Sequence, residues 1–338
     1  MCSSPYMFRE WIYDRPGLHQ FLRKWRGISA YGYAALEAVR VMREAGPVRT
    51  LMAFGGAPGD DLLCTVPLRE LKRRQPKMQI AMLTRHPALF QGSPDVARVL
   101  PKNNYSIEPI LRGLGYRCIV PHYTAYDEET DKDRRPEGHI LKVMCRQAGI
   151  KGDVTVRPYL YLTEAEKQKG KIAARQICVQ SSVNGAMFAM KNKEWHIDRM
   201  QAAVTALAAD CTVIQLGADA DTALDHVLDL RGKTTLREAA AILSQSLCFV
   251  GLVGFLMHLA RAVECRSVIV YGGRELPNES GYVCNTNLTG ATECAPCWQH
   301  NRCDYNRACM DLITAERVIA ATRDLVMRTG TPLEVEIL

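Results

Sequence analysis

Residues 48–76, VRTLMAFGGAPGDDLLCTVPLRELKRRQP, constrain this chain more than any other stretch. Thr50-Leu51-Met52-Ala53-Phe54 is a short apolar run of the kind a buried parallel strand uses. Gly55, Gly56 and Gly59 follow, with Ala57 and Pro58 between them, and then come Asp60 and Asp61. Leu62, Leu63, Val66, Leu68 and Leu71 continue in a helical pattern, and Lys72-Arg73-Arg74 suits a helix C-terminus. A strand, a glycine turn and a helix start make a binding edge, where backbone N–H groups approach a ligand and an acid can point into a cleft. A plain βα turn with Asp60 as N-cap fits the same residues, so this stretch alone leaves the binding and structural readings open.

At 338 residues the chain suits two domains of ordinary size, and 47% apolar with 23% charged residues is the composition of a soluble globular protein. The net charge of +7 is modest and scattered, which favours anionic ligands; no basic tract interleaved with aromatics points to nucleic acid. The N-terminal residues lack a basic-then-apolar export pattern, and the apolar run Cys248–Ala260 is too short to span a bilayer. The expected location is cytoplasmic. Thirteen cysteines, an odd number, argue there against a disulfide framework.

Four segments are expected along the chain. Residues 1–46 are an extension rich in aromatics, with a helix over Ala34–Glu44. Residues 47–163 alternate strand and helix, with strands near 50–54, 79–83, 94–100 and 117–120 and a helix over 137–147. Within them, His122 and Tyr123 open a polar loop running to Arg135, which is either a solvated connection or functional. Residues 164–312 begin with a charged helix capped by Thr163 and reaching Gln176, then restart the alternation, with strands at 176–180, 211–216, 248–251 and 267–271. Residues 313–338 hold a closing helix over Thr314–Met327, expected to pack back across the first domain. The fold class is α/β, two Rossmann-like domains facing one cleft, with ligands at the carboxyl ends of the strands.

Four motifs in order carry a family likeness. They are Gly56-Ala57-Pro58-Gly59-Asp60, then Lys193-Glu194-Trp195, then Asp229-Leu230-Arg231-Gly232-Lys233-Thr234-Thr235-Leu236, and last Met257-His258-Leu259-Ala260. Together they resemble glycosyltransferase family 9, the ADP-heptose heptosyltransferases of two-domain GT-B fold, over roughly residues 48–330. The resemblance implies an inverting glycosyltransferase that moves a heptose or related sugar from an ADP-sugar to an acceptor hydroxyl, with no catalytic divalent metal. It makes Asp60 the general base and places the acceptor at the loop Gly56, Ala57, Pro58, Gly59 with His122 and Tyr123. It assigns the donor to Lys193, Asp219, the backbone of Gly254, Phe255 and Leu256, and Met257 and His258. The residues alone also allow His258 to be a core histidine and Lys193 a solvated one.

One departure stands out: family members usually carry an Asn/Asp–Ser/Thr–Gly run before the histidine helix, where this chain has Gly251-Leu252-Val253-Gly254-Phe255-Leu256. Backbone N–H groups there can still cradle a phosphate. The lost side chains motivate a rival reading, a catalytically degenerate GT-B protein that binds a nucleotide sugar or serves in an assembly. The acceptor itself, whether glycan, protein Ser/Thr or small natural product, is not specified, and a homo-oligomer is compatible with the aromatic extension.

Cys294, Cys297, Cys303 and Cys309 place four thiols within sixteen residues. Four soft sulfurs suit tetrahedral zinc or iron in a closed, structural site, with His300 and Cys284 as substitute ligands; free thiols or local disulfides are the other reading. A similar segment occurs in the bacterial autotransporter heptosyltransferases, and that resemblance implies iron.

Overall fold

The computed structural model describes residues 16–54, 56–103, 105–328 and 332–338, the first fifteen of these by backbone alone. Helix α1, Pro16–Ala45, leads into strand β1, Thr50–Ala53. Ala34, Ala38, Val41 and Ala45 recur at helical spacing and are buried, so one stripe of α1 seals the first sheet. The helix extends well upstream of the expected Ala34 start; residues 1–15 of the expected extension lie outside the described residues.

The first sheet holds β1, β2 (Ile80–Thr84), β3 (Arg98–Pro101) and β4 (Arg117–Ile119) in the order β3-β2-β1-β4, all parallel. Its period of two is visible in the packing. Leu51, Ala53, Ala81 and Leu83 face α1, whereas Met52, Phe54, Ile80 and Met82 face the helices of the other side. Those helices include α2 (Pro58–Leu63), α3 (Thr65–Arg74) and α5 (Ile140–Gln147); α4 (Glu108–Gly113) belongs to the α1 side.

Between β4 and α5 the expected polar loop contains a hairpin, β5 (Tyr126–Asp127) and β6 (Lys132–Asp133), which docks on residues 298–302 of the second half. Short polar strands carry no hydrophobic alternation, so their pairing is invisible in sequence.

Helix α6, Glu164–Lys169, starts on the expected Thr163 in a full capping box with Glu166. It stops at Gly170 instead of reaching Gln176. A Cβ at Gly170 would stand 2.0 Å from the carbonyl oxygen of Ala241, so only glycine allows the chain to pass α8 (Leu236–Ser244) so closely.

The second sheet has β7 (Gln176–Val179), β8 (Thr212–Gln215), β9 (Leu228–Asp229), β10 (Phe249–Leu252), β11 (Ser267–Gly272) and β12 (Thr286–Thr289). Their order is β12-β11-β10-β7-β8-β9, again parallel throughout. Helices α7 (Ile197–Leu207) and α10 (Ala315–Met327) cover one face, and α8 and α9 (Phe255–Ala262) the other. The closing helix α10 therefore packs on α7 and β11, not across the first domain. The tail does cross: Leu338 and Val154 exchange backbone hydrogen bonds of 2.8 and 3.0 Å. The halves share one apolar cluster, in which Met52, Leu62 and Ile119 join Leu256, Ile269 and Tyr271.

Candidate functional site

The loop after β1 sets Asp60. Ala57 is the N-cap of α2 and Pro58 sits at its first position, where a missing N–H costs nothing, so Asp60 lies inside the first turn with its carboxylate unused in capping. That removes the N-cap reading. Gly56 leaves room for the guanidinium of Arg85, which would stand 3.0 Å from an added Cβ.

Asp60 Oδ1 accepts a 3.2 Å hydrogen bond from the Tyr123 hydroxyl, and the Tyr123 ring stacks on Phe54. Burial and then the charge of Asp61 push the Asp60 carboxyl up to about 6, against the pull of Tyr123, Lys193 and His86. Asp61 has a different place. It is buried, and Oδ2 accepts from the Thr84 hydroxyl at 2.5 Å and meets His86 Nδ1 at 2.9 Å. His122 is exposed beside the Phe54 ring, and its backbone N–H donates to Gln147 Oε1.

Across the domain contact α2 packs on α9, and an added Cβ at Gly59 would lie 3.8 Å from Phe255. Gly254 is the N-cap of α9, and an added Cβ there would meet nothing within 4 Å. The space beside Gly254 is therefore open, where an anion could approach the start of the helix. Leu256, Met257 and His258 turn their side chains into the core. His258 Nδ1 is 2.7 Å from the Tyr282 hydroxyl, and burial depresses its pKa to about 3, so the ring is neutral. The core reading of that histidine matches this packing.

Lys193 ends a short 3-10 turn on the second half, with Nζ 2.8 Å from Glu275 Oε1. Burial, then the charge of Arg274, lowers its pKa against the pull of Glu275. Burial opposes the charge of Glu275, but Lys193 and Arg274 hold that carboxyl at about 2. Trp195 is buried, and its indole N–H donates to Ile313 O at 3.1 Å; it anchors the turn in the core. Asp219 is exposed on the turn after β8, against Gly232.

Sequence reasoning assigned no role to Arg274, Glu275, Asp133 or Asp221, although the Gly272–Glu275 turn was expected to border the donor pocket. The first two directly follow the Gly272-Gly273 turn at the carboxyl end of β11, a position where a charged pair is a usable signal. Asp221 binds Ser182 and the backbone of Gly185 and Ala218, tying the loops after β7 and β8 together. Its spacing announces nothing.

A cavity of about 490 Å³ is walled by His122, Tyr123, Arg134, Arg135 and Arg146, beside Asp60 on the first domain.

Residues 158–305 match the family described as Glycosyltransferase family 9 (heptosyltransferase). This part of the chain is a glycosyltransferase family 9 domain. No curated protein matches by sequence. Among solved structures, the E. coli ADP-heptose LPS heptosyltransferase II is 17% identical, covers 84% of this chain and 100% of its own, and superposes with a TM-score of 0.62. The iron-containing dodecameric glycosyltransferase TibC from enterotoxigenic E. coli H10407 is 19% identical over 84% of this chain and 77% of its own, with a TM-score of 0.62. A family 9 glycosyltransferase from Veillonella parvula is 13% identical over 83% and 98%, with a TM-score of 0.60. The fold is the two-domain GT-B arrangement of these structures, and residues 158–305 carry the match to the glycosyltransferase family.

Cys294, Cys297, Cys303 and Cys309 share one loop beside β11, all half-buried and unbridged. Cys303 Sγ accepts the backbone N–H of Arg307 at 3.2 Å, and Cys297 and Cys309 accept those of Gln299 and Gly273. Burial, then the neighbouring thiols, raises the pKa of Cys297 and Cys309 against those hydrogen bonds. Backbone donors aimed at sulfur suit thiolates, so the donor set fits a soft metal ion. Among the described residues, however, no group of three or more His, Cys, Asp or Glu side chains stands arranged to hold a metal. His300 is engaged elsewhere, with Nε2 2.8 Å from Asp133 Oδ2.

Proposed function

We propose that this protein is an inverting glycosyltransferase that moves a heptose or related sugar from an ADP-sugar to an acceptor hydroxyl, with Asp60 as general base. The observation that carries the reading is the position of Asp60, whose free carboxylate lies at the contact with α9 and is held by Tyr123. The acceptor hydroxyl enters from the Gly56–Gly59 side and the cavity beside Tyr123. As that hydroxyl attacks the anomeric carbon, its proton passes to Asp60, and the diphosphate leaves on the opposite face. A carboxylate with a pKa near 6 is a better base than a solvated one and stays ionised at neutral pH.

The leaving diphosphate is received by the open amides of α9 at Gly254, Phe255 and Leu256 and by Lys193. Asp219 serves the nucleoside side. Cys294, Cys297, Cys303 and Cys309 would hold iron or zinc, which supplies a structural cross-link in the loop and takes no part in transfer. The neighbour TibC is described as iron-containing and dodecameric, and one solved form of it holds ADP-D-beta-D-heptose; iron, the ADP-heptose donor and a homo-oligomer are the corresponding proposals here. No helix among the described residues is long and apolar enough to cross a membrane. A cytoplasmic location is proposed on the sequence reading alone.

The pairing of Lys193 with Glu275, and the apolar Gly251–Leu256 run, favour the second reading, a GT-B protein that binds a nucleotide sugar without turnover. A melting panel with ADP, GDP, UDP, CDP and dTDP tests the donor class. A ligand at a hundred times its dissociation constant adds about 2.7 kcal/mol, so ADP alone should raise the melting temperature by several degrees. A shift with another nucleotide replaces the donor, and no shift with any nucleotide contradicts both readings.

A further inference from the structure

We propose that the β5–β6 hairpin is an interdomain clasp in which Asp133 is a positioning residue for Lys193. The hairpin leaves the first domain and lies on residues 298–302 of the second. Asp133 N–H donates to Trp298 O and His300 N–H to Asp131 O, each at 2.9 Å. The amides of Asn301 and Arg302 both donate to Asp131 Oδ2 at 2.8 Å, and the Tyr126 ring stacks on His300 at 4.4 Å.

The buried Asp133 carboxylate continues inward. Oδ2 accepts from Arg274 Nη2 at 2.5 Å and lies 2.8 Å from His300 Nε2. Arg274, also buried, is fixed by Gln299 O at 3.1 Å and by the Trp298 ring at 5.0 Å, and its Nη1 reaches Glu275 Oε1 at 2.8 Å. That same oxygen of Glu275 receives Lys193 Nζ at 2.8 Å. One carboxylate oxygen thus serves two cations, which repel each other. Asp133 carries part of the Arg274 charge, leaving Glu275 available to Lys193. With Asp133 neutral, Arg274 is drawn wholly onto Glu275 and displaces Lys193, because buried charges feel one another strongly. A carboxylate on the first domain therefore sets the place of a cation on the second.

The clasp rests on the reading that Lys193 faces the donor diphosphate, and the test separates the two. ADP and adenosine affinities are measured by calorimetry for the full chain and for Asp133→Asn, which keeps the shape of the side chain. The expected result is ADP binding weakened roughly tenfold with adenosine affinity unchanged, since adenosine has no phosphate for Lys193. Unchanged ADP affinity overturns the proposal, and equal losses for both ligands overturn it as well, because they mark a general structural defect. If the unsubstituted protein binds no ADP, the donor reading fails first and visibly. Tyr126→Ala, at the exposed hairpin end, covers the case in which Asp133→Asn does not fold. Loss of its stacking should weaken ADP by roughly two- to tenfold, again sparing adenosine, and no effect there overturns the clasp.

Discussion

Asp60 and Asp61 are adjacent acids with opposite surroundings, and the difference decides their roles. Asp61 is buried and takes hydrogen bonds from Thr84 and His86, so it holds the β2 edge against α2. Asp60 has one long bond to Tyr123 and a raised pKa. In the proposed reaction the ionised form of Asp60 is the base, so kcat/KM should rise about tenfold per pH unit below about 6 and level off above it, as a pH–rate profile would show. The same shift has a stability consequence. Because burial raises the folded-state pKa, the folded protein holds the proton more tightly than the unfolded chain, so stability is lost as pH rises from about 4 to about 6, and the loss is complete above that. Asp60→Asn should therefore melt a few degrees higher at neutral pH, on the order of 1 kcal/mol more stable. The gain should shrink as pH falls toward about 4, the unfolded carboxylate's own range. Equal melting temperatures across that range would contradict the burial of this carboxylate.

At the scale of elements, hydrophobic pattern announced most of what positions the site. The run from Thr50 to Phe54 supplies β1 because alternate residues find two separate apolar faces, and the glycine–proline turn after it leaves the Asp60 carboxylate free of capping. The strands around 176–179, 249–252 and 267–272 were legible for the same reason, being apolar on both faces. What stayed hidden was polar. β12, with the sequence TNLT, is held by pairing, and the β5–β6 hairpin by pairing and the buried charge of Asp133, which leave no periodic trace. The end of α6 was hidden too, because it depends on the later approach of α8. Gly170→Ala tests that point. An added methyl 2.0 Å from Ala241 O must part the two helices, and the cost should be about 1–3 kcal/mol by denaturant unfolding. An unchanged midpoint would mean that the helices part freely.

For the whole molecule, two parallel sheets share one apolar cluster and meet through α2 on α9, the hairpin clasp and Arg237, which binds Glu166 and the carbonyl of Ala88. The cleft is thus bounded by elements from both halves, and the cysteine loop lies under the clasp. If Cys294, Cys297, Cys303 and Cys309 hold a structural metal, chelation should lower the melting temperature and expose residues 127–135 to protease, because the 298–302 platform loosens. Identical cleavage with and without chelator would contradict that role. The family 9 likeness was legible from four short motifs in order, whereas the ion chain from Asp133 to Lys193 joins residues far apart in sequence, which spacing cannot show. The most direct test of the whole account is ADP release from ADP-heptose, with water as a slow acceptor, for the unsubstituted protein and Asp60→Asn, alongside ADP affinity for each. The account predicts release by the first, a loss of roughly 10²–10⁴-fold in the second, and similar ADP affinity in both. Equal release rates at saturating donor, or none from either protein, would contradict it.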